Sequence, residues 1–107
     1  MREVSVEAFA AARADGAFVI DVREPAEHHA GHVPGTVLMP VRQVPARTRE
    51  LPRSAPVYVI CASGGRSHEV ADLLRRAGHD ARSVSGGMGA WEGSGRPVVR
   101  GPRSDVA

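Results

Sequence analysis

Short apolar runs alternate with stretches of helical period along this chain. Residues 17–22 and 56–60 are near-continuous apolar segments, the pattern of strands buried on both faces. Residues 36–39, bracketed by Pro34-Gly35 and Pro40, and residues 81–85 read as two further short strands. Helices fill the intervals. Ser5 is placed to cap a helix over Val6–Ala14, with Glu7 in its first turn and Asp15-Gly16 as its stop. Pro25 suits the first position of a short helix ending at Gly31. Pro45 interrupts residues 41–51, which predicts two short turns instead of one smooth helix. From Arg66 or Ser67 a longer helix brings Val70, Leu73, Leu74 and Ala77 to helical spacing, and Gly78 ends it. Residues 86–91 predict a turn into a last short helix, and residues beyond Val99 a frayed tail.

Strands alternating with helices predict an α/β layer with a mainly parallel sheet. Ligands in such folds sit at the carboxyl ends of strands. Two chemically loaded segments occupy that position, Asp21-Val22-Arg23 after one strand and Cys61 after another.

Composition narrows the chemistry. At 107 residues and 42% apolar, the chain is the size of one domain with one modest core. No apolar run approaches the roughly 18–20 residues that cross a bilayer, and the first residues do not resemble a secretory signal. A soluble cytoplasmic protein with no membrane partner is expected. All fourteen basic residues are arginine, which excludes a Schiff-base lysine and a lysine-containing phosphate loop. With scattered arginines, a net charge of +2 and few aromatics, no nucleic-acid groove is expected. Small anionic substrates fit the charge better. Cys61 is the sole cysteine, so sulfur chemistry has to run through one thiol and an external partner.

The segment after residue 60 reads Cys61-Ala62-Ser63-Gly64-Gly65-Arg66-Ser67. Alone, Cys61 fits a small apolar residue completing a strand. The loop beside it favours a reactive thiolate. Gly64 and Gly65 let successive N–H groups turn inward as an anion-binding nest, and the following helix points its positive end at the same spot. Arg66 brings a permanent charge, and Ser63 and Ser67 bring hydroxyl donors. Each of these lowers a thiol pKa.

In order and spacing, four segments resemble the successive signatures of the rhodanese family: Asp21-Val-Arg-Glu-Pro-Ala-Glu27, Gly31-His-Val-Pro-Gly-Thr36, residues 61–67, and Gly86-Gly-Met-Gly-Ala-Trp91. The resemblance spans residues 3–99, leaving 100–107 as a flexible tail. It implies a single rhodanese-like α/β domain, with a five-stranded parallel sheet flanked by helices on both faces. It also implies sulfurtransferase activity without a cofactor. Cys61 takes sulfane sulfur from a small anionic donor such as thiosulfate and passes it to cyanide, a thiol or a protein acceptor, with Arg66 assisting and residues 62–65 and 67 as the cradle.

Two rivals remain. One is a non-enzymatic module or sulfur-relay partner. The other is a cysteine-dependent phosphatase or arsenate reductase. From Cys61 to Arg66 the loop has six residues, one fewer than related phosphatases use for a tetrahedral phosphate. Ala62 is a departure, because thiosulfate-using members often carry a basic residue directly after the cysteine.

Other polar residues have supporting roles. Asp21 is expected to accept hydrogen bonds from Arg23 or from the cysteine loop, and Arg23 and Glu27 to form an ion pair or to remain solvated. His28, His29 and His32 invite a metal reading, but the helix ends at Gly31 and no carboxylate is placed nearby, so none is expected. His32, in the segment that resembles the family's Gly-His-Val-Pro-Gly, is read as structural or as supporting the site from behind, and His68 and His79 as surface residues. Gly86, Gly87 and Gly89 are expected to permit close packing, with Trp91 as a core anchor.

Overall fold

The computed structural model describes residues 3–102. In chain order the elements are β1 (Glu3–Val4), α1 (Val6–Ala14), β2 (Phe18–Asp21), α2 (Pro25–Ala30) and β3 (Val37–Leu38). Two 3₁₀ turns follow, Val41–Gln43 and Pro45–Glu50, and then β4 (Val57–Ile60), α3 (Gly65–Arg76), β5 (Ala81–Val84) and α4 (Gly87–Gly93). The five strands form one sheet in the order β1-β5-β4-β2-β3, every neighbouring pair parallel. β4 is central, with Val59 opposite Ile20 of β2 on one side and Ser83 of β5 on the other.

Side chains alternate across the sheet, so the core divides into two layers. Ile20, Val57, Val59 and Ala81 face one side, where Val70, Ala71 and Leu74 of α3 cover them. Val19, Tyr58, Ile60 and Val84 face the other, against Phe9 of α1 and Met88 and Trp91 of α4. The helices start where the local chemistry directs. Ser5 Oγ accepts the Ala8 N–H. Pro25 opens α2, and Glu24 and Glu27 close a reciprocal capping box at its first turn. Trp91 is buried, and its indole N–H donates to Pro97 O at 2.7 Å.

The structure supplies the fifth strand, which the local pattern did not place, and corrects two expectations. β1 has only two residues at the sheet edge, too few for any alternation to announce it in the sequence. On α3, Leu73 is 44% exposed and Ala77 is exposed, while Ala71 is fully buried. The helix therefore turns the face bearing Ser67, Val70, Ala71 and Leu74 inward. His79 is buried instead of lying on the surface, with its ring Nδ1 3.2 Å from Pro52 O. Beyond Val99, the Gly101 N–H donates to His29 O at 2.8 Å. Residues 103–107 of the expected tail lie outside the described residues.

Candidate active site

Cys61 directly follows β4, the central strand, and the residue is only 1% exposed. The chain then turns sharply: Gly64 has φ +117°, a conformation open to glycine, and α3 begins at the next residue. This turn aims N–H groups back at the sulfur. The Gly64 N–H donates to Sγ at 3.0 Å, and Sγ lies 3.4 Å from Ser67 Oγ, the hydroxyl of the first turn of α3. Burial pushes the Cys61 thiol up, but the Ser67 hydroxyl and the N–H groups of Ser67, Gly64 and Ser63 outweigh it. The thiol is held below its ordinary value.

Ser67 has a second buried partner that the sequence did not single out. Its hydroxyl donates to Gly64 O at 3.1 Å and lies 2.8 Å from the hydroxyl of Ser83 on β5. As the thiol ionises, the single Ser67 proton can turn to Sγ, because Ser83 can donate to the oxygen behind it. A polar residue at an inward-facing strand position, beside Ala81 in the same alternation, was the available signal for Ser83.

α4 fixes the other side of the loop. The Met88 N–H donates to Cys61 O at 2.7 Å, and the Gly89 N–H to Ala62 O at 3.0 Å. With these carbonyls held by α4, the loop N–H groups are left to face the sulfur. The approach requires glycine. A Cβ on Gly87 would stand 2.3 Å from Cys61 O and 2.9 Å from the Ala62 carbonyl. For Gly87 the expected close packing is thus located at the cysteine loop itself, whereas a Cβ on Gly86 would meet Ala90 and one on Gly89 would lie at ordinary contact distance from Ala62 O.

Asp21, at the end of β2, is opposite Ile60 in the sheet. Of the two roles considered for it, the structure selects Arg23. The Arg23 guanidinium donates to both Asp21 oxygens, Nε at 3.0 Å and Nη2 at 2.8 Å, and Nη2 also reaches Gly31 O at 2.8 Å. Both side chains are nearly inaccessible, 0% for Asp21 and 7% for Arg23. The expected Arg23–Glu27 pair is therefore not formed. Glu27 instead takes a two-bond contact from Arg66, at 2.8 and 2.9 Å, and Arg66 turns its charge toward this carboxylate. The Arg66 guanidinium holds the Glu27 carboxyl at about 2.

His32 is fully buried and stacks on His28 at 3.6 Å between ring centroids, with its Nδ1 2.7 Å from His28 O. Its backbone forms an antiparallel bridge to Val99. Among the described residues, no group of three His, Cys, Asp or Glu side chains is arranged to hold a metal ion. None of the described helices is long and apolar enough to cross a membrane.

Fold and site together define a class: a parallel α/β domain that presents one buried cysteine in a six-residue loop, between a central strand and the N-terminus of a helix. The comparisons give the family. Residues 5–94 match the model of the rhodanese-like domain, and the chain belongs to that family. It is 33% identical over 82 residues to a sulfurtransferase of Allochromatium vinosum, covering 76% of this chain and 77% of that one. It is also 33% identical over 91 residues to thiosulfate sulfurtransferase GlpE of Pseudomonas entomophila, covering 84% of each. A rhodanese-related protein of Thermoplasma volcanium superposes with a TM-score of 0.86 at 29% identity, over 92% of this chain and 98% of that one. Some relatives are longer: the chain spans about half (51%) of one from Bacillus subtilis.

Proposed function

We propose that this protein is a sulfurtransferase that carries sulfane sulfur as a persulfide on Cys61. The observation that carries the reading is the cradle: a thiol held below its ordinary pKa by N–H and hydroxyl donors at the head of α3. A persulfide anion has several lone pairs to satisfy, and preorganised N–H donors satisfy them without rearrangement. The family membership and the relative named as a thiosulfate sulfurtransferase support the same chemistry.

In the proposed cycle the Cys61 thiolate attacks the outer sulfur of a donor such as thiosulfate. A new S–S bond forms, the old sulfur–sulfur bond breaks, and sulfite leaves with its electron pair. Cyanide or an acceptor thiolate then attacks the terminal sulfur and regenerates the Cys61 thiolate. Ala62, Ser63, Gly64, Gly65 and Ser67 form the persulfide cradle, and Arg66 stands at its edge. Glu27 holds Arg66 from the neighbouring helix, while Asp21, Arg23 and His32 hold together the strand end and helix that stand beside the loop.

Intact-protein mass spectrometry tests the reading. Mixing with thiosulfate, polysulfide or a mercaptopyruvate-type donor should add the mass of one sulfur atom, and cyanide should remove it. Cys61→Ser should keep its fold and acquire nothing, because no other thiol exists. A wild-type chain that gains no sulfur from any of the three donors refutes the assignment. Hydrolysis of an aryl phosphate in the same preparation would point to the phosphatase rival instead.

A further inference from the structure

The Arg66–Glu27 pair is not needed to hold the sulfur, yet it occupies the one cation of the loop. Glu27 stands in the first turn of α2, and its Oε1 also accepts the Glu24 N–H at 3.0 Å, which fixes the carboxylate in place. Arg66 gives it both terminal nitrogens. The arginines nearest along the chain and through these contacts are occupied as well: Arg42 donates to Glu24 at 2.6 Å, and Arg23 is locked on Asp21. Ala62 adds no charge. Positive and negative charges on this side of the cradle thus cancel in pairs.

From this geometry we infer that Glu27 is a positioning residue for donor choice. By holding the Arg66 guanidinium in a closed two-bond pair, it leaves the mouth of the cradle without a net cation. The site then favours sulfane donors carrying one negative charge or none, such as organic hydropersulfides and thiosulfonates, over a dianion such as thiosulfate. The inference rests on the sulfurtransferase reading above. The chemistry balances for such donors. With a hydropersulfide, Sγ bonds to the outer sulfur, the donor's S–S bond breaks, and the remaining thiolate leaves with the electron pair. With a thiosulfonate, a sulfinate leaves instead.

A charge cycle tests it, with cyanide as acceptor and two donors that differ by one charge, thiosulfate and benzenethiosulfonate. Glu27→Gln keeps the shape of the side chain and an acceptor for the Glu24 N–H, and it sets the Arg66 charge free. A unit charge about 6–7 Å from the donor in a water-like dielectric changes the affinity of a monoanion by about threefold, and that of a dianion by about ninefold. E27Q should therefore raise kcat/KM by about ninefold for thiosulfate and about threefold for the thiosulfonate, through KM with kcat steady. Added salt should shrink both gains.

Arg66→Gln, which leaves Glu27 uncompensated, should lower the thiosulfate-to-thiosulfonate ratio by about threefold. In the double variant the ratio should return to the wild-type value. A ratio in E27Q at or below wild type overturns the inference. So does a double variant that keeps the low ratio of R66Q, since Arg66 would then contact the donor directly. A wild type that turns over neither donor and also gains no sulfur mass from polysulfide or a mercaptopyruvate-type donor overturns the sulfurtransferase reading; one that loads sulfur but shows an unmoved ratio in E27Q overturns only this inference.

Discussion

β2 and β4 run side by side and end at the same level, Asp21 opposite Ile60, but their ends are completed in opposite ways. After β2 a buried carboxylate meets a buried guanidinium, and charge is cancelled by charge within two residues of sequence. After β4 a buried sulfur meets backbone N–H groups and the Ser67 hydroxyl, whose proton can turn to Sγ as the thiol ionises, neutral groups that stabilise a negative charge without cancelling it. The first end is saturated and has no capacity left for a ligand. The second eases ionisation of the thiol yet leaves a negative charge uncompensated, which is what the proposed nucleophile needs. The fold therefore offers two matching strand ends, and the kind of partner sets the second apart as the proposed reactive one.

The contrast is broken most severely at the saturated end. Asp21→Asn leaves Arg23 buried without its counter-charge and should cost about 3–5 kcal/mol of stability. Urea unfolding measures it. At temperatures where the variant is still folded, the alkylation profile of Cys61 should be unchanged. A large shift in that profile would mean that the two ends are coupled and the division drawn above is false.

Acid should weaken the same neighbourhood. Burial and the adjacent His32 hold His28 at about 4, against an ordinary value of 6.5. Between those values the unfolded chain binds a proton that the folded chain refuses, so stability falls as pH drops from 6.5 and levels off below about 4. The full loss is at most about 3 kcal/mol. The urea midpoint followed from pH 7.5 to 4.5 should show this decline, and His28→Gln should flatten it. The window lies above that of Glu27, whose pairing with Arg66 is lost only as pH falls below 4.5 toward about 2.

The smallest effect sharpens the reactive end. Ser67→Ala removes the hydroxyl that can turn its proton to Sγ once the thiol ionises and should raise the thiol pKa, slowing alkylation at pH 7 by about three- to tenfold. Alkylation rate against pH reads the shift. A profile like that of the wild type would assign the whole stabilisation to the backbone N–H groups.

What was readable in the sequence follows from the range of each interaction. Ser5, Pro25, Gly31 and Pro45 act on residues within a few positions, so the helix starts, the stop of α2 and the broken segment before β4 could be placed from them. The cysteine loop was readable for the same reason: its sulfur, glycines and Ser67 are contiguous. The face of α3 was only half legible, because apolar spacing admits Leu73 and Ala77 as readily as Ala71. The packing against β4 and β5 makes the choice. The partner of Glu27 was out of reach. Arg66 lies 39 positions away, and only the adjacency of β2 and β4 brings the two together. Ser83 was half legible: a serine at an inward-facing position marked it, but the local pattern does not name the neighbour it meets.

The depth of Cys61 has a consequence for traffic. At 1% exposure the resting sulfur offers almost nothing for another macromolecule to touch. In the proposed cycle, loading adds a second sulfur one bond of about 2.05 Å further out. In that cycle the atom an acceptor attacks is the added sulfur and not the buried Sγ, so burial of Cys61 shields the carrier while its cargo is the part that reacts.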